Sequence, residues 1–185
     1  MIEKIHLKEC LNKALKKKEN SNTIFRYTAK TSIDINNYLF NLKNNDIFHI
    51  SYPDKKYFGL DKCIEYNLSS KKNILKLINN HTEVIPYGEN KNKNIKIFGG
   101  VSFDMNNDFH DHSKKIPKGL FFIPKILIES TNSYKTISFQ ILLNQDIDSI
   151  INEYCRLESI LSFKAISENN HNKVIENIPV PNKSE

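Results

Sequence analysis

The stretch from Ile95 to Ile128, IKIFGGVSFDMNNDFHDHSKKIPKGLFFIPKILI, constrains this chain more than any other segment. It places a glycine pair, Gly99-Gly100, inside one apolar run and joins it through a polar loop to a second run, Leu120 to Ile128, that is almost continuously apolar. Glycine within a strand marks a bulge or a close backbone approach, because no Cβ is present to clash. Ile95, Ile97, Val101 and Phe103 are the expected apolar positions of the first strand, with Asp104 closing it. A run that does not alternate is buried on both faces or nearly so. Pro124 within it calls for a sheet edge or a bulge, since proline donates no ladder hydrogen bond.

The remaining elements follow from periodicity. Ile5, Leu7, Leu11, Ala14 and Leu15 predict an amphipathic helix over residues 3–18, with Lys16-Lys17-Lys18 complementing the negative end of its dipole. Strands are expected over 23–29, 46–52, 57–66 and 134–143, with Pro53-Asp54-Lys55-Lys56 turning the second into the third. Helices are expected over 34–42, over 71–80 capped by Ser69-Ser70, and over 146–163, where Ile147, Ile150, Ile151, Tyr154, Leu157 and Ile160 recur at helical spacing. Residues 83–94, EVIPYGENKNKN, read as a loop. The prediction is one α+β domain over 1–170, an antiparallel sheet with flanking helices on one face, and a polar, proline-containing tail over 171–185 expected to be disordered.

Composition narrows the function classes. With 185 residues and 39% hydrophobic content the chain can bury a domain-sized core. The net charge of +6 invites a nucleic-acid reading, but only Arg26 and Arg156 of the 27 basic residues are arginine. Bidentate base and phosphate readers are preferentially arginine. Lysine, asparagine and isoleucine share AT-rich codons, which is a sufficient cause for the basicity, and no nucleic-acid partner is expected. No apolar run approaches the ~20 residues of a membrane span and no secretory segment is recognisable at the N-terminus, so a cytoplasmic or organelle-stroma location is expected. Cys10, Cys63 and Cys155 lack metal or disulfide spacing and read as reduced thiols, Cys63 as a small buried hydrophobe.

Few residues carry recognisable chemistry. His110 and His112 flank Asp111 and could chelate from a strand, but they sit in a polar loop with no third ligand, so a solvated loop is the reading taken. His6, His49, His81 and His171 are isolated, and Gly99-Gly100 fits neither dinucleotide nor P-loop spacing. Asp104 is read as a strand terminator. No catalytic, cofactor-binding or metal residue is assigned.

Phe58-Gly59-Leu60, then Ile97-Phe98-Gly99-Gly100 with Phe103-Asp104, then Phe122, Pro124 and Ile128 resemble, in order and spacing, the N-terminal region of isochorismate synthases. The resemblance covers roughly residues 30–145. Asp61 stands where that family commonly has a second glycine, and His49 where a tryptophan is usual. What the resemblance implies is chorismate-to-isochorismate chemistry in quinone (menaquinone, phylloquinone) or siderophore biosynthesis. A lysine-activated water adds at C2, a glutamic acid helps the C4 hydroxyl leave, and Mg²⁺ binds the carboxylate. Those groups belong to a larger C-terminal half, and Lys173 in HNKVI lacks the continuation expected of the lysine strand. The chain is therefore expected to be a non-catalytic N-terminal part, truncated or split, inactive alone and partnered by a separately encoded catalytic half. The alternative is a scaffold or interaction subunit serving another quinone-biosynthesis protein.

Overall fold

In the computed structural model, residues 3–20, 22–33, 45–68, 82–101 and 119–162 are described. The elements run α1 (Lys4–Lys17), β1 (Thr23–Lys30), β2 (Ile47–Ser51), β3 (Lys55–Leu68), β4 (Glu83–Gly88), β5 (Phe98–Val101), β6 (Gly119–Thr131), β7 (Lys135–Leu142) and α2 (Ile147–Ser162). The strands form one sheet in the order β2-β3-β6-β7-β1-β4, with β5 also pairing β6. The architecture is α+β, as the sequence predicts. The helices expected over 34–42 and 71–80, and the tail over 171–185, lie outside the described residues.

Both helices cover one face. Alternation along β1 and β7 points Phe25, Ile137, Phe139 and Ile141 toward them, where they meet Leu7, Leu11 and Ala14 of α1 and Ile150, Tyr154, Leu157 and Leu161 of α2. Phe58, Leu60, Ile126 and Ile128 extend this core across β3 and β6. The stripe on α1 differs from expectation at one position: Ile5 is 76% exposed. It lies two residues before Leu7, about 200° around the helix, and so falls off the buried face. Lys18 donates from the end of α1 to the carbonyl of Leu143 at 2.5 Å, so part of the basic run ties the helix to the sheet. Asp146 starts α2 by accepting the Ser149 amide at 2.9 Å and the Ser149 hydroxyl at 2.7 Å, which also lowers its own carboxyl pKa.

Two expectations are corrected. Residues 83–94 do not form a loop throughout, because Glu83–Gly88 is an edge strand parallel to β1, Thr23 through Thr28 pairing with Glu83 through Gly88. The sheet is thus mixed, with this one parallel pair among antiparallel ladders. The segment is short and contains Pro86, which an edge strand tolerates but which hides the strand signal. The second correction concerns the glycine-pair strand. Its ladder covers only Phe98–Val101, Phe98 is its buried residue, and Ile97 and Val101 are exposed. The alternation is therefore out of phase with the expected apolar set by one residue, and Phe103 and Asp104 lie outside the described residues.

Pro124 sits inside the sheet rather than at its edge, and three features accommodate it. On one side, β3 carries Cys63 as an extra residue between Lys62, opposite Pro124, and Ile64, opposite Ile123. On the other side, β5 pairs with β6 only to Phe122 and β7 only from Ile126, so Pro124 falls where no strand needs its missing N–H. Its carbonyl accepts the Gln140 amide at 2.8 Å. Gly59 completes the arrangement, since a Cβ there would lie 3.0 Å from Pro124 Cβ. Asp61 opens the bulge with φ 52°, a left-handed conformation that suits the glycine common at this place in the resembling family and that aspartate tolerates better than most residues.

Candidate functional site

The face of the sheet away from the helices carries the most unusual chemistry of the described residues. Ile24, Arg26 and Thr28 of β1 and Ser138, Gln140 and Leu142 of β7 alternate onto it. The register sets Thr28 opposite Ser138 and Arg26 opposite Gln140. Thr28 and Ser138 share a hydrogen bond of 2.9 Å, and Gln140 reaches Pro124 as described. β6 contributes Glu129, which is buried and ion-paired with Lys96. Burial, together with the neighbouring Lys55 and Arg26 charges, pulls the Lys96 ammonium down to about 8, against the attraction of Glu129. The Lys96 ammonium also lies 4.9 Å from the Tyr57 ring centre.

Arg26 is the outlier in this row. It is 6% exposed, and its Nη1 donates to the carbonyl of Asn94 at 2.8 Å, while Nε and Nη2 have no partner. Burial lowers its pKa. Beside the polar row, Phe98 packs against Phe48 and Tyr57 at ring-centre distances of 4.5 and 5.8 Å, and against Phe122 at 6.5 Å. The face is therefore aromatic toward β2 and β5 and polar at its centre. An uninterrupted apolar second face, as the runs GLFFIPKILI and TISFQILL lead one to expect, is not what these residues build.

A second polar cluster lies where β6 parts from β7. A cleft of about 510 Å³ there is lined by Cys63, Lys125, Leu142, Ser149, Glu153 and Arg156 among others. Lys125 Nζ contacts Glu153 Oε1 at 2.5 Å, Arg156 Nε donates to Glu153 Oε2 at 2.8 Å, and Arg156 Nη2 pairs with Asp61. The Arg156 bond, with help from Lys125, holds the Glu153 carboxyl at about 2, and Glu153 and Asp61 in turn raise Arg156. Cys63, expected as a buried hydrophobe, is half-buried at the cleft wall, and desolvation of its thiol pushes the pKa up to about 12, which keeps the sulfur protonated at neutral pH. The four charges alternate and satisfy one another. Their effect is to tie α2 to the β3 bulge.

The residues weighed from sequence do not converge. His6 stacks edge-on against Tyr27 at 5.8 Å and lies 3.8 Å from the Cys10 thiol, whose pKa burial raises. His49 pairs with Phe58 across the β2–β3 hairpin. His81, Asp104, His110, Asp111, His112, His171 and Lys173 lie outside the described residues. Among the described residues no three His, Cys, Asp or Glu side chains group to hold a metal. The carboxylates of the two clusters, buried Glu129 and the half-buried Asp61 and Glu153, already face cations, so this donor set does not fit Mg²⁺. Among the described residues, too, no helix is long and apolar enough to cross a membrane.

Sequence reasoning missed Arg26, Lys96, Glu129 and the Lys125-Glu153-Arg156 network. One signal was available, because an arginine between Phe25 and Tyr27 inside TIFRYTA is a charge at the centre of a strand that must be buried. Within the network only the i,i+3 pair of Glu153 and Arg156 was visible, as neighbours on the predicted helix, whereas Lys125 on β6 and Asp61 on β3 join it only through the fold.

A family model described as chorismate binding enzyme matches residues 6–184. A search of curated proteins finds no match. The solved structure of MenF, the menaquinone-specific isochorismate synthase from Escherichia coli, is similar with a TM-score of 0.51 and 11% identity. The similarity covers 88% of this chain and 35% of that one, so the chain spans about a third of the length of the solved relative.

Proposed function

Since this chain belongs to the chorismate binding enzyme family, we propose that it is the scaffold part of an isochorismate synthase-like protein, serving conversion of chorismate to isochorismate. The match over residues 6–184, which extends well beyond the 30–145 stretch that carries the motifs, is the observation that supports this reading. The similarity to MenF at the level of fold agrees with it. In this reading the sheet positions a catalytic part carried on other polypeptide, in the same chain or a separate one. That part supplies the lysine, the glutamic acid and the Mg²⁺ site. In this reading the carboxylates of Glu129 and Glu153 serve as ion-pair partners of Lys96, Lys125 and Arg156 within the sheet and helix scaffold.

The test is chromatography of chorismate incubated with Mg²⁺ and the purified chain, alone and with the C-terminal half of a related isochorismate synthase supplied separately. The chain alone gives no isochorismate above background. The two together form a complex and yield isochorismate at a rate neither reaches alone. Isochorismate from the chain alone, or a catalytic half equally active with and without it, overturns the proposal. In the second case the scaffold-subunit alternative takes its place.

A further inference from the structure

The cleft where β6 parts from β7 follows from Pro124. The β6–β7 ladder stops at Ile126 and Phe139, while β7 runs on beside β1 as far as Leu142. The last residues of β7 have therefore lost their β6 neighbour, and the Gln140 side chain reaches across to Pro124 in its place. α2 borders the gap and presents Ser149, Asn152, Glu153 and Arg156 to it, positions three, four and seven residues along one helical face. The resulting space of about 510 Å³ is of a size that holds a small molecule.

Its hydrogen-bonding inventory is one-sided. Both oxygens of Glu153 are engaged, Oε1 by Lys125 and by Arg156 Nη2 at 3.0 Å, and Oε2 by Arg156 Nε. The donors are not used up. Lys125 gives one of its three N–H groups to Glu153, and Arg156 Nη1 has no partner among the described residues. The side-chain amides of Asn144 and Asn152 likewise bond to no other described residue. Because Lys125 and Arg156 share one Glu153 oxygen, the two cations stand next to one another at the cleft wall. Asp61 lies outside that wall, which leaves two cations against one anion in the lining. Leu142 and the protonated Cys63 add apolar surface beside them, and Lys125 is near enough to the thiol to oppose the rise in its pKa.

We propose that this cleft binds a small organic carboxylate, held by the unused donors of Lys125 and Arg156. The Lys125 ammonium and Arg156 Nη1 donate to the carboxylate oxygens, the carbon skeleton lies against Cys63 and Leu142, and Asn144 and Asn152 meet polar substituents. A phosphate dianion suits the lining less well, because its cations exceed its anions by a single charge. Occupancy joins β6 to α2 across the gap and so stabilises the folded chain. The site uses none of the groups that the functional reading above assigns to the catalytic part.

The chain has only two arginines, so the arginine Nε–H region of a ¹⁵N NMR spectrum holds two resonances, assigned by Arg26→Lys or, should that variant not fold, by Arg156→Lys. Arg156 reports the cleft and buried Arg26 is the internal control. Sodium acetate, lactate and benzoate are titrated into the full chain against sodium chloride and sodium phosphate at equal ionic strength, and against acetamide, lactamide and benzamide. The expected result is a saturable shift of the Arg156 resonance with at least one carboxylate, half complete at about 10 mM or below, with the matching amide about tenfold weaker or more and Arg26 unmoved. Asn152→Asp places a like charge at an exposed position of the cleft without breaking an ion pair, and is expected to weaken binding about tenfold. No saturable shift with any of the three carboxylates, an equal shift with chloride, phosphate or the amides, or undiminished binding by Asn152→Asp overturns the proposal. Whether a catalytic half restores isochorismate formation has no bearing on these outcomes, so the two readings fail separately.

Discussion

Gly99 in β5 faces the carbonyl of Leu120 across the ladder with no room for a Cβ, whereas Gly100 beside it faces open space. The two glycines of one motif therefore have different physical roles. Gly99 has φ +153°, and any side chain there would be driven into the β6 backbone. Gly99→Ala is expected to destabilise by about 1–3 kcal/mol through backbone strain, while Gly100→Ala is expected to leave stability within about 0.5 kcal/mol. Urea midpoints of the two variants check this, and equal losses would show that the close approach is not real. Gly99, rather than Gly100, is also the position at which a valine should break association with a catalytic half.

The accommodation of Pro124 depends on Gln140. Replacing Gln140 by Met keeps the volume but leaves the buried Pro124 carbonyl without a donor, which typically costs about 1–3 kcal/mol. Replacing the solvent-facing Lys30 at the end of β1 by Met serves as the control. A Gln140→Met variant as stable as the parent in thermal melts would place water or another donor at that carbonyl.

Acid stability should report Glu153. Its carboxyl sits at about 2 in the folded chain against an ordinary 4.5. Between those two values the unfolded chain takes up a proton that the folded chain excludes, so the stability from this group is complete above pH 4.5 and is lost as pH falls toward 2. Glu153→Gln is expected to lower stability at neutral pH and to flatten this acid limb. Melting curves from pH 7 to 2 for both proteins make the comparison, and parallel limbs would assign the acid loss to other groups.

The helical faces make a sharper pair. Leu11 is 0% exposed and Ile5 76% exposed on the same helix. Leu11→Ala is expected to cost about 2–5 kcal/mol through lost burial and a cavity, and Ile5→Ala within about 0.5 kcal/mol. Denaturant titration separates them, and comparable losses would mean that α1 docks through a different face.

The α+β class, the hairpin of β2 and β3, the β6–β7 pair and both terminal helices were legible in the chain, because each announces itself through local periodicity or turn chemistry. Leu7, Leu11, Ile150 and Leu157 could be placed in the core from spacing alone. The motifs around Gly59, Gly99 and Pro124 were legible as a group through resemblance, though not the reason for their company: Pro124 needs the Cys63 bulge, the bare Gly59 and the Gln140 amide at once, and these come from three strands. β4 was lost to its own shortness and Pro86. It exists as a strand because β1 offers it a parallel ladder, a partner some sixty residues away that no local window contains. Arg26 shows the same division. Its type and its place in an apolar strand were visible, but its charge became an unanswered one only when the fold gave Glu129 to Lys96 and Nη1 to Asn94, leaving Nε and Nη2 buried without a partner. Periodicity records which face a residue takes, whereas the partners it meets there are set by the order and register of strands distant in sequence.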